Sequence, residues 1–414
     1  MNSASSVPLG GGQTSRGVER PESVDALRES IARHVAERNA IYPLGGRTAL
    51  EHGGVPARPG VAIDTTALTR VIEYPAADMT ITVEAGITIA ALAEILKTQG
   101  QRLTIDVPCP DLATLGGVYA TNCSGPRRFG AGRPRDQIIG VSFVTSEAAL
   151  VKGGGRVVKN VAGYDFPKLL TGSMGCLGVL AQLSVKVRPI PESSALVWLP
   201  FAALDAAENA LATLNVSATR PIAVELLNRQ AAESLGGDLP VGEWVLVIGF
   251  EDNPNSVSWQ LEQIPGELGI SPGSAAVLRD AEASPLWERL TGFQVETPGP
   301  LSIVANLRPS AVAPFCQMLA ETPHAIQSHA GNGIVRAHLL EDCTLDEAGA
   351  RLDRLRREAV RRGGNLVISR CPADWKSTLP IWGEPRSDWP MMEQVRKALD
   401  PTGSMNPGRF LGMM

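Results

Sequence analysis

The chain has 414 residues, which is too long for one compact core, so two domains are expected. A formal net charge of −5 excludes a general nucleic-acid binder, whose surface should be basic. No apolar run is long enough to span a bilayer, and the N-terminus lacks the layout of a signal peptide. We therefore expect a cytoplasmic protein, with attachment to the inner face of the cytoplasmic membrane through a partner as an alternative.

The first hundred residues alternate predicted helices and strands. Residues 1–19 are rich in glycine and serine and offer little to bury, which predicts disorder. Ser23 can cap a helix whose apolar residues recur at the helical period as far as Val35. Strands are predicted at residues 41–44, 61–64 and 79–84, the last half-buried, followed by a helix capped by Thr88 and a strand at 103–107.

A turn with paired glycines follows the strand at residues 41–44. Consecutive backbone N–H groups in such a turn can form an anion-binding nest, and neighbouring polar side chains add donors. The residues that could contribute are Leu44, Gly45, Gly46, Arg47 and Thr48.

Glycines are concentrated again between residues 112 and 187, where the predicted strands 138–144 and 179–187 flank them. Glycine costs entropy wherever it is not needed, so this density indicates backbone that approaches something large and flat. Four arginines lie among these glycines: Arg127, Arg128, Arg133 and Arg135. The pattern favours a ligand with phosphates, and the alternative is a loop-rich surface region.

In the second half of the chain, predicted strands alternate with predicted helices. The predicted strands are 197–201, 223–227, 244–250, 302–307, 334–339 and 365–369, and the predicted helices are 204–214, 257–264, 310–319 and 345–362. Two β-α-β-β-like halves of this kind would build one antiparallel sheet with helices on one face. We predict an α+β chain with a first domain at 20–192 in two subdomains, a cap domain at 193–380, and a C-terminal segment at 381–414 that returns to the first domain.

Several familiar sites are not supported by the sequence. The six cysteines are scattered without a CxxC pair, so any iron–sulfur relay is expected on another chain. Residues 153–159 lack the spacing of a P-loop, and no GxGxxG opens a helix in a βαβ unit.

The motifs together resemble the vanillyl-alcohol oxidase, or PCMH-type, FAD-binding family. They cover almost the whole chain from Ile41 onward, and their order and spacing carry the resemblance. The motifs are YPLGGRT, TLGGVYATNCSGPRRFGAGRPRD, KNVAGYD, LLTGSMGCLGVL, the stretch around Arg336 to Leu340, RCPADWK, LPIWG and DPTGSMNPGRF.

The resemblance implies FAD as cofactor and assigns its binding residues. The pyrophosphate is placed on Leu44, Gly45, Gly46, Arg47 and Thr48. Further phosphate, ribose and ring contacts are placed on Thr114, Gly116, Gly117, Asn122, Ser124, Gly125 and Gly130, and adenine-side contacts on Gly178 and Val179. Some relatives attach flavin to a histidine after the paired glycines; here that residue is Arg47, so FAD is predicted to be non-covalent.

The C-terminal sequence Asn406-Pro407-Gly408-Arg409 is similar to an element that folds back toward the flavin ring in this family. Arg409 is the residue we expect to act there. The alternative is an ordinary tail held by packing.

Related 2-hydroxy-acid dehydrogenases carry a His-x-Gly-Asp-Gly-Asn-x-His element in the second domain. The corresponding run here extends from His329 to Arg336, with Asn332 at the aspartate position and Arg336 at the second histidine position. An amide and a cation cannot replace a carboxylate and an imidazole as metal ligands, so no metal site is predicted. His329 and Arg336 are the candidate catalytic residues, as base and carboxylate partner, with a purely structural role as the alternative and His338 as a second possible base.

The resemblance implies an FAD-binding subunit of a multi-subunit oxidase similar to the bacterial glycolate oxidases. Such a chain would work with a sister FAD-binding subunit and an iron–sulfur subunit to oxidise glycolate, a small 2-hydroxy acid, to glyoxylate. Two alternatives stay open: a non-catalytic assembly subunit of that complex, and an FAD-dependent dehydrogenase of another 2-hydroxy acid such as D-lactate.

Overall fold

The structure is a computed structural model that describes residues 6–155, 163–271 and 273–411. Residues 156–162, which include most of the KNVAGYD motif, and residues 1–5 lie outside the described part. None of the helices in the described part is long and apolar enough to cross a membrane.

Strands and helices are numbered in chain order. The strands are β1 Pro8–Gly10, β2 Gln13–Thr14, β3 Gly17–Glu19, β4 Ala40–Leu44, β5 Gly60–Asp64, β6 Val71–Glu73, β7 Thr80–Glu84, β8 Gln101–Arg102, β9 Ile138–Val144, β10 Leu150–Gly154, β11 Val179–Lys186, β12 Arg188–Pro189, β13 Ser193–Phe201, β14 Ala223–Asn228, β15 Trp244–Asp252, β16 Ala276–Arg279, β17 Ser302–Asn306, β18 His324–His329, β19 Ile334–Leu339 and β20 Asn365–Arg370. The helices are α1 Val24–Ala36, α2 Ile89–Lys97, α3 Leu115–Thr121, α4 Arg128–Ala131, α5 Pro134–Gln137, α6 Phe166–Leu170, α7 Leu204–Leu214, α8 Arg229–Gly236, α9 Pro254–Leu268, α10 Ser284–Gly292, α11 Val312–Leu319, α12 Leu345–Arg361 and α13 Trp389–Leu399.

Two compact units divide the chain. The first contains Met1–Ser124, Arg133–Ile190 and Pro372–Met414, and the second contains Gly125–Gly132 and Pro191–Cys371. The short segment Gly125–Gly132 joins the second unit because the N–H of Gly130 donates to the carbonyl of Ile222, 3.0 Å away, and Arg127 pairs with Glu251 at 2.7 Å. The sequence instead predicts this segment as part of the first domain. It also predicts that the chain returns to the first domain at residue 381, whereas in the structure it returns at Pro372.

The first unit contains two larger sheets, in keeping with the predicted pair of subdomains, and the two-stranded pairs β1-β2 and β12-β8. A parallel sheet has the order β3-β5-β4, and an antiparallel sheet has the order β10-β9-β11-β7-β6. Helix α1 begins where Ser23 accepts a hydrogen bond from the N–H of Ala26, as predicted, and it buries Leu27 and Ile31 against residues of both sheets.

The expectation of disorder over residues 1–19 is wrong for the described residues 8–19. Strands β1 and β2 form a hairpin, and β3 pairs in parallel with β5. Leu9 is 1% exposed and packs in a cluster with Ala40, Tyr42 and Leu44. Composition misled because one buried leucine and a ladder of backbone hydrogen bonds are enough to order a glycine-rich hairpin that lies on an existing core.

Two further strand predictions in this unit need correction. Every residue of β7 is buried, because β6 and β11 flank it and Val83 belongs to the main apolar core, so the strand is not half-buried. Residues 103–107 do not form a strand, although Ile105 and Val107 are buried in that core. The alternation of apolar and polar residues at 103–107 therefore reflects the burial of an irregular segment, and it does not indicate strand pairing.

The second unit contains one antiparallel sheet of eight strands in the order β16-β13-β15-β14-β18-β19-β17-β20. Each predicted half of this region supplies four strands, and the halves meet where β14 pairs with β18. The α+β fold class with a large antiparallel sheet is confirmed. The sequence did not predict strands β16 and β18 or helices α8 and α10. Helices α8 and α10 pack against the sheet face that carries Trp198 and Leu227.

A substitution in the buried N-terminal hairpin tests whether residues 8–19 are ordered. Leu9→Ala should lower the free energy of unfolding by about 2–4 kcal/mol, since it removes a fully buried side chain from a packed cluster. Chemical denaturation of the purified protein measures the change. The matched control is Val216→Ala at a residue 85% exposed, which should change stability by no more than about 0.5 kcal/mol. An equally small effect for Leu9→Ala would support the original prediction that the N-terminus is disordered.

Candidate functional site

A run of backbone donors lies at the carboxyl end of β4. Among the described residues, no acceptor is found for the N–H groups of Gly45, Gly46, Arg47 and Thr48. The preceding residue, Leu44, is buried, and its carbonyl accepts the hydroxyl of Thr65 at 3.0 Å, which holds the start of the turn. Ligands of parallel sheets bind beyond the carboxyl ends of the strands, and consecutive unpaired N–H groups attract anions.

Both glycines of this turn are required by a second loop that lies directly against them. A Cβ on Gly46 would lie 1.6 Å from the carbonyl oxygen of Leu112, and one on Gly45 would lie 2.2 Å from Oγ1 of Thr114. Nothing larger than hydrogen fits at either position. The turn therefore presents backbone and not side chains, which is the form of surface that a diphosphate needs.

The residue after the glycines is held by an ion pair. Arg47 has a left-handed backbone with φ of 61°, and its guanidinium lies 3.1 Å from a carboxylate oxygen of Asp64. The other oxygen of Asp64 accepts from the N–H and the hydroxyl of Thr66 at the end of β5. Asp64 thus links the ends of β4 and β5 and orients Arg47, a role that the sequence did not reveal.

The glycines at the start of α3 have other partners. Thr114 caps the helix and accepts from the N–H of Gly117 at 3.3 Å, while the N–H of Gly116 donates to the carbonyl of Ala85 at 2.8 Å. A Cβ on Gly116 would also lie 2.9 Å from Ala85. These two amides are committed to the chain, so the predicted cofactor contacts there stay a prediction.

The remaining predicted FAD residues are divided between the units. Asn122 ends α3 in a left-handed conformation and is exposed, and Ser124 is buried in the same unit. Gly178 has φ of +141° and stands so close to β9 that a Cβ would lie 2.7 Å from the carbonyl of Val144, which pairs with Val179. Gly125 and Gly130 lie in the second unit.

Arg409 is buried at the C-terminus of the first unit. Its guanidinium donates to the carbonyls of Leu50 and Gly54, at 2.8 and 3.1 Å, and its own carbonyl accepts from the N–H of Gly54. Burial lowers the pKa of Arg409. The side chain secures the loop that follows the amide run, and the predicted role of Arg409 toward the flavin stays a prediction.

The second unit brings His329 against a carboxylate. Nδ1 of His329 lies 2.7 Å from one oxygen of Glu225, and the other oxygen accepts from the amide of Gln327 at 2.8 Å. Glu225 and His329 are opposite each other on β14 and β18, and they are 0% and 2% exposed. Nε2 of His329 is buried and has no hydrogen-bond partner among the described residues.

The other predicted catalytic residue lies on the same face of the sheet. Arg336 is directly opposite Gln327 in the pairing of β18 with β19, and residues opposite each other share a face. Gln327 and His329 share it too, because side chains alternate along a strand. The register therefore places His329, Arg336 and Glu225 on one face of the sheet. Within the described residues, no group of three or more His, Cys, Asp or Glu side chains is arranged to hold a metal ion.

A close contact with Phe129 explains why the turn after His329 contains a glycine, Gly331. A Cβ at this position would lie 2.1 Å from the ring of Phe129, which comes from the segment Gly125–Gly132. The same segment carries Gly130, where a Cβ would lie 2.9 Å from Cα of Ile222. In the structure these glycines allow close packing around the turn, a function distinct from the predicted flavin contact.

His338, the second possible base, has both ring nitrogens occupied. Nδ1 lies 2.7 Å from the hydroxyl of Ser302, and Nε2 lies 2.7 Å from the carbonyl of Phe293. Burial lowers the pKa of His338 to about 4. A neutral ring that donates from Nε2 and accepts at Nδ1 satisfies both contacts, so His338 is a structural residue.

Sequence reasoning missed Glu225 and Gln327, which complete the arrangement around His329. The signal was present, because Glu225 is the one charged residue in the apolar strand β14, and a carboxylate there must be paired when it is buried. Its partner lies 104 residues away, so no local pattern could name it.

Two family models match the chain. One, described as an FAD binding domain, matches residues 15–154, and the other, described as the C-terminal domain of FAD linked oxidases, matches residues 190–300 and 384–410. The first match contains the amide run and the start of α3. These matches confirm the FAD-binding domain and the oxidase C-terminal domain that the resemblance implied.

Similar proteins match either most of the chain or a part of it. D-2-hydroxyglutarate dehydrogenase of Xanthomonas citri pv. viticola is 24% identical over 418 residues, 94% of this chain and 88% of that protein. Glycolate oxidase subunit GlcE of Escherichia coli is 33% identical over 172 residues, 41% of this chain and 48% of that protein. A solved structure of alkyldihydroxyacetonephosphate synthase has a similar fold, with a TM-score of 0.69, 18% identity, and coverage of 96% of this chain and 78% of that chain.

The chain therefore carries the two domains of the FAD-linked oxidases, and the unpaired amides of Gly45 to Thr48 fit the diphosphate of the cofactor. It is an FAD-dependent oxidoreductase.

The close approach at Gly46 predicts a selective loss of cofactor. Gly46→Ala should reduce the FAD that copurifies severalfold, because the new methyl group cannot share space with the carbonyl of Leu112 and the turn must move. Flavin absorbance relative to protein measures the loss, and near-ultraviolet circular dichroism verifies folding. The control is Gly266→Ala in α9, where no atom outside the adjacent residues and the helix backbone lies within 4 Å of the new Cβ, so FAD content should be unchanged. Wild-type FAD content in Gly46→Ala would contradict the assignment.

The pKa of His338 predicts part of the acid sensitivity of the fold. The folded pKa of about 4 lies below the ordinary value of 6.5, so the unfolded chain takes up this proton first as the pH falls. His338 should therefore cost the fold up to about 3 kcal/mol between pH 6.5 and pH 4, and nothing further below the folded pKa. Denaturation at several pH values should show a shallower decline for His338→Gln than for the wild type. Parallel declines would contradict the assignment.

Proposed function

We propose that this protein is the FAD-binding subunit, of the GlcE type, of a multi-subunit glycolate oxidase that converts glycolate to glyoxylate. The observation that carries the proposal is the run of four N–H groups from Gly45 to Thr48, which have no acceptor in the described part of the chain and can serve as preorganised donors for the FAD diphosphate. The 33% identity to glycolate oxidase subunit GlcE over 172 residues supports glycolate as the substrate.

FAD is bound without a covalent link. The position after the paired glycines is Arg47, and a guanidinium is always protonated and has no nucleophilic lone pair to offer a flavin. Its ion pair with Asp64, at 3.1 Å, also holds the side chain away from such a role. The backbone on either side supplies the binding energy through hydrogen bonds to the phosphates.

The second unit supplies the groups that bind the 2-hydroxy acid and remove its hydroxyl proton. A 2-hydroxy acid presents a carboxylate and a hydroxyl group on adjacent carbons, and its oxidation requires a base for the hydroxyl proton. Arg336 can bind the carboxylate through two parallel hydrogen bonds, and Nε2 of His329 is available as the base. When bound, FAD supplies a two-electron acceptor for the hydride that leaves C2.

Electron transfer beyond FAD requires other chains. Within this sequence the six cysteines form no CxxC pair that could ligate an iron–sulfur cluster. We therefore assign the relay to an iron–sulfur subunit, with a sister FAD-binding subunit as the other partner. The assembly is proposed to be cytoplasmic and to attach to the inner face of the cytoplasmic membrane through these partners.

The visible spectrum of the purified complex tests this function. Anaerobic glycolate should bleach the flavin of this subunit, and acid precipitation should release all of its FAD into the supernatant because no covalent bond retains it. D-lactate and D-2-hydroxyglutarate serve as comparison substrates and should bleach the flavin more slowly. Faster reduction by either comparison acid would reassign the substrate. A flavin in this subunit that no 2-hydroxy acid bleaches would establish the non-catalytic assembly role instead.

A further inference from the structure

We propose that Glu225 is the positioning residue of the catalytic base, which determines that His329 acts through Nε2. This inference rests on the proposed oxidation of a 2-hydroxy acid and extends it to a residue that makes no contact with substrate. Its basis is the hydrogen-bonding pattern on the sheet face where β14, β18 and β19 meet.

The carboxylate of Glu225 determines the tautomer of His329. An ionised carboxylate only accepts hydrogen bonds, so Nδ1 of His329, at 2.7 Å from it, must carry the hydrogen. In the neutral ring Nε2 then has the lone pair and can only accept. A buried acceptor without a protein partner is unusual, and it is ready to receive a proton from a bound hydroxyl group.

The carboxylate is itself held in place. Its second oxygen accepts from the amide of Gln327 at 2.8 Å, and the same amide nitrogen donates to the carbonyl of Leu290 at 3.1 Å. Glu225 is fully buried, so it cannot rotate away to exchange these partners for water. Two paired strands and the end of α10 therefore hold the ring of His329 in one orientation.

The other buried histidine of this sheet considered as a base shows what a structural role looks like. His338 uses both nitrogens in contacts with Ser302 and Phe293, and no carboxylate is among its hydrogen-bond partners. His329 uses one nitrogen on a carboxylate and leaves the other unpaired. Of the histidine nitrogens in the described residues, Nε2 of His329 is the one that is buried without a partner. A residue that only stabilised the fold would gain nothing from this arrangement.

The proposed step balances with His329 as the acceptor of the proton and FAD as the acceptor of the two electrons. Nε2 takes the proton of the substrate hydroxyl while the hydrogen on C2 leaves with its bonding electrons to FAD, and the C–O single bond becomes a carbonyl. The two-electron oxidation of glycolate to glyoxylate is matched by the two-electron reduction of FAD. The imidazolium that forms lies against Glu225, whose negative charge stabilises it without taking the proton.

The test compares Glu225→Gln and Glu225→Asp with the control Ser302→Ala in the flavin-loaded complex. Glu225→Gln keeps the size of the side chain and removes its charge, so kcat for glycolate should fall about 10- to 1000-fold while KM changes much less. Glu225→Asp keeps the carboxylate and should recover part of kcat. Ser302→Ala removes a partner of the structural His338 and should lower thermal stability while kcat is retained.

A second measurement does not depend on turnover. Nitrogen-15 spectra of histidine-labelled protein, with the His329 signals assigned by their loss in His329→Gln, should show a protonated Nδ1 and an unprotonated Nε2 in the wild type. Glu225→Gln should change this pattern to a mixture or to the other tautomer. An unchanged pattern, or full kcat in Glu225→Gln, would overturn the positioning role. If no 2-hydroxy acid is oxidised by the wild type but the tautomer responds to Glu225, the proposed function fails and the role of Glu225 in setting the tautomer stands.

Discussion

The first unit depends on one steric constraint, the contact between the turn after β4 and the loop that leads into α3. The carbonyl of Leu112 and the hydroxyl of Thr114 occupy the space where side chains of residues 45 and 46 would be. With glycine at both positions, the backbone turns without making its own hydrogen bonds and leaves four N–H groups together. Asp64 and Thr65 support this turn, and Arg409 secures the loop that follows it. The turn presents main-chain donors to an anion, so few charged side chains are needed there.

The sequence predicted most of the regular elements and the glycine turns, because these depend on local rules. The cap of α1 by Ser23, the cap of α2 by Thr88 and the bounds of α7 all follow from residues within a turn of each other. Strand β18 was not predicted, since its residues His324 to His329 are largely polar and are buried by contacts with β14 and β19. The prediction for the N-terminal hairpin was wrong for the same reason, as its order comes from the core beneath it.

The candidate site shows the same difference between features set by local sequence and features set by long-range contacts. Gly45 and Gly46 could be found from a motif, because the requirement for glycine is visible in the sequence. His329 and Arg336 could be named, but their chemical setting could not, because Glu225 and Gln327 reach the site through strand pairing and tertiary contact. The structure also separates two buried histidines that the sequence treated alike: His338 is satisfied on both sides, and His329 is not.

The C-terminal segment completes the sheet that carries the amide run. Met405 bridges to Ile41 in parallel, the N–H of Ile41 donates to Ser404, and the N–H of Asn406 donates back to the carbonyl of Ile41. Met405 is fully buried beside Leu27 and Ile31. Residues 404–406 therefore close the β4 edge of this sheet, so the strand that leads into the amide run is held by a contact between distant parts of the sequence.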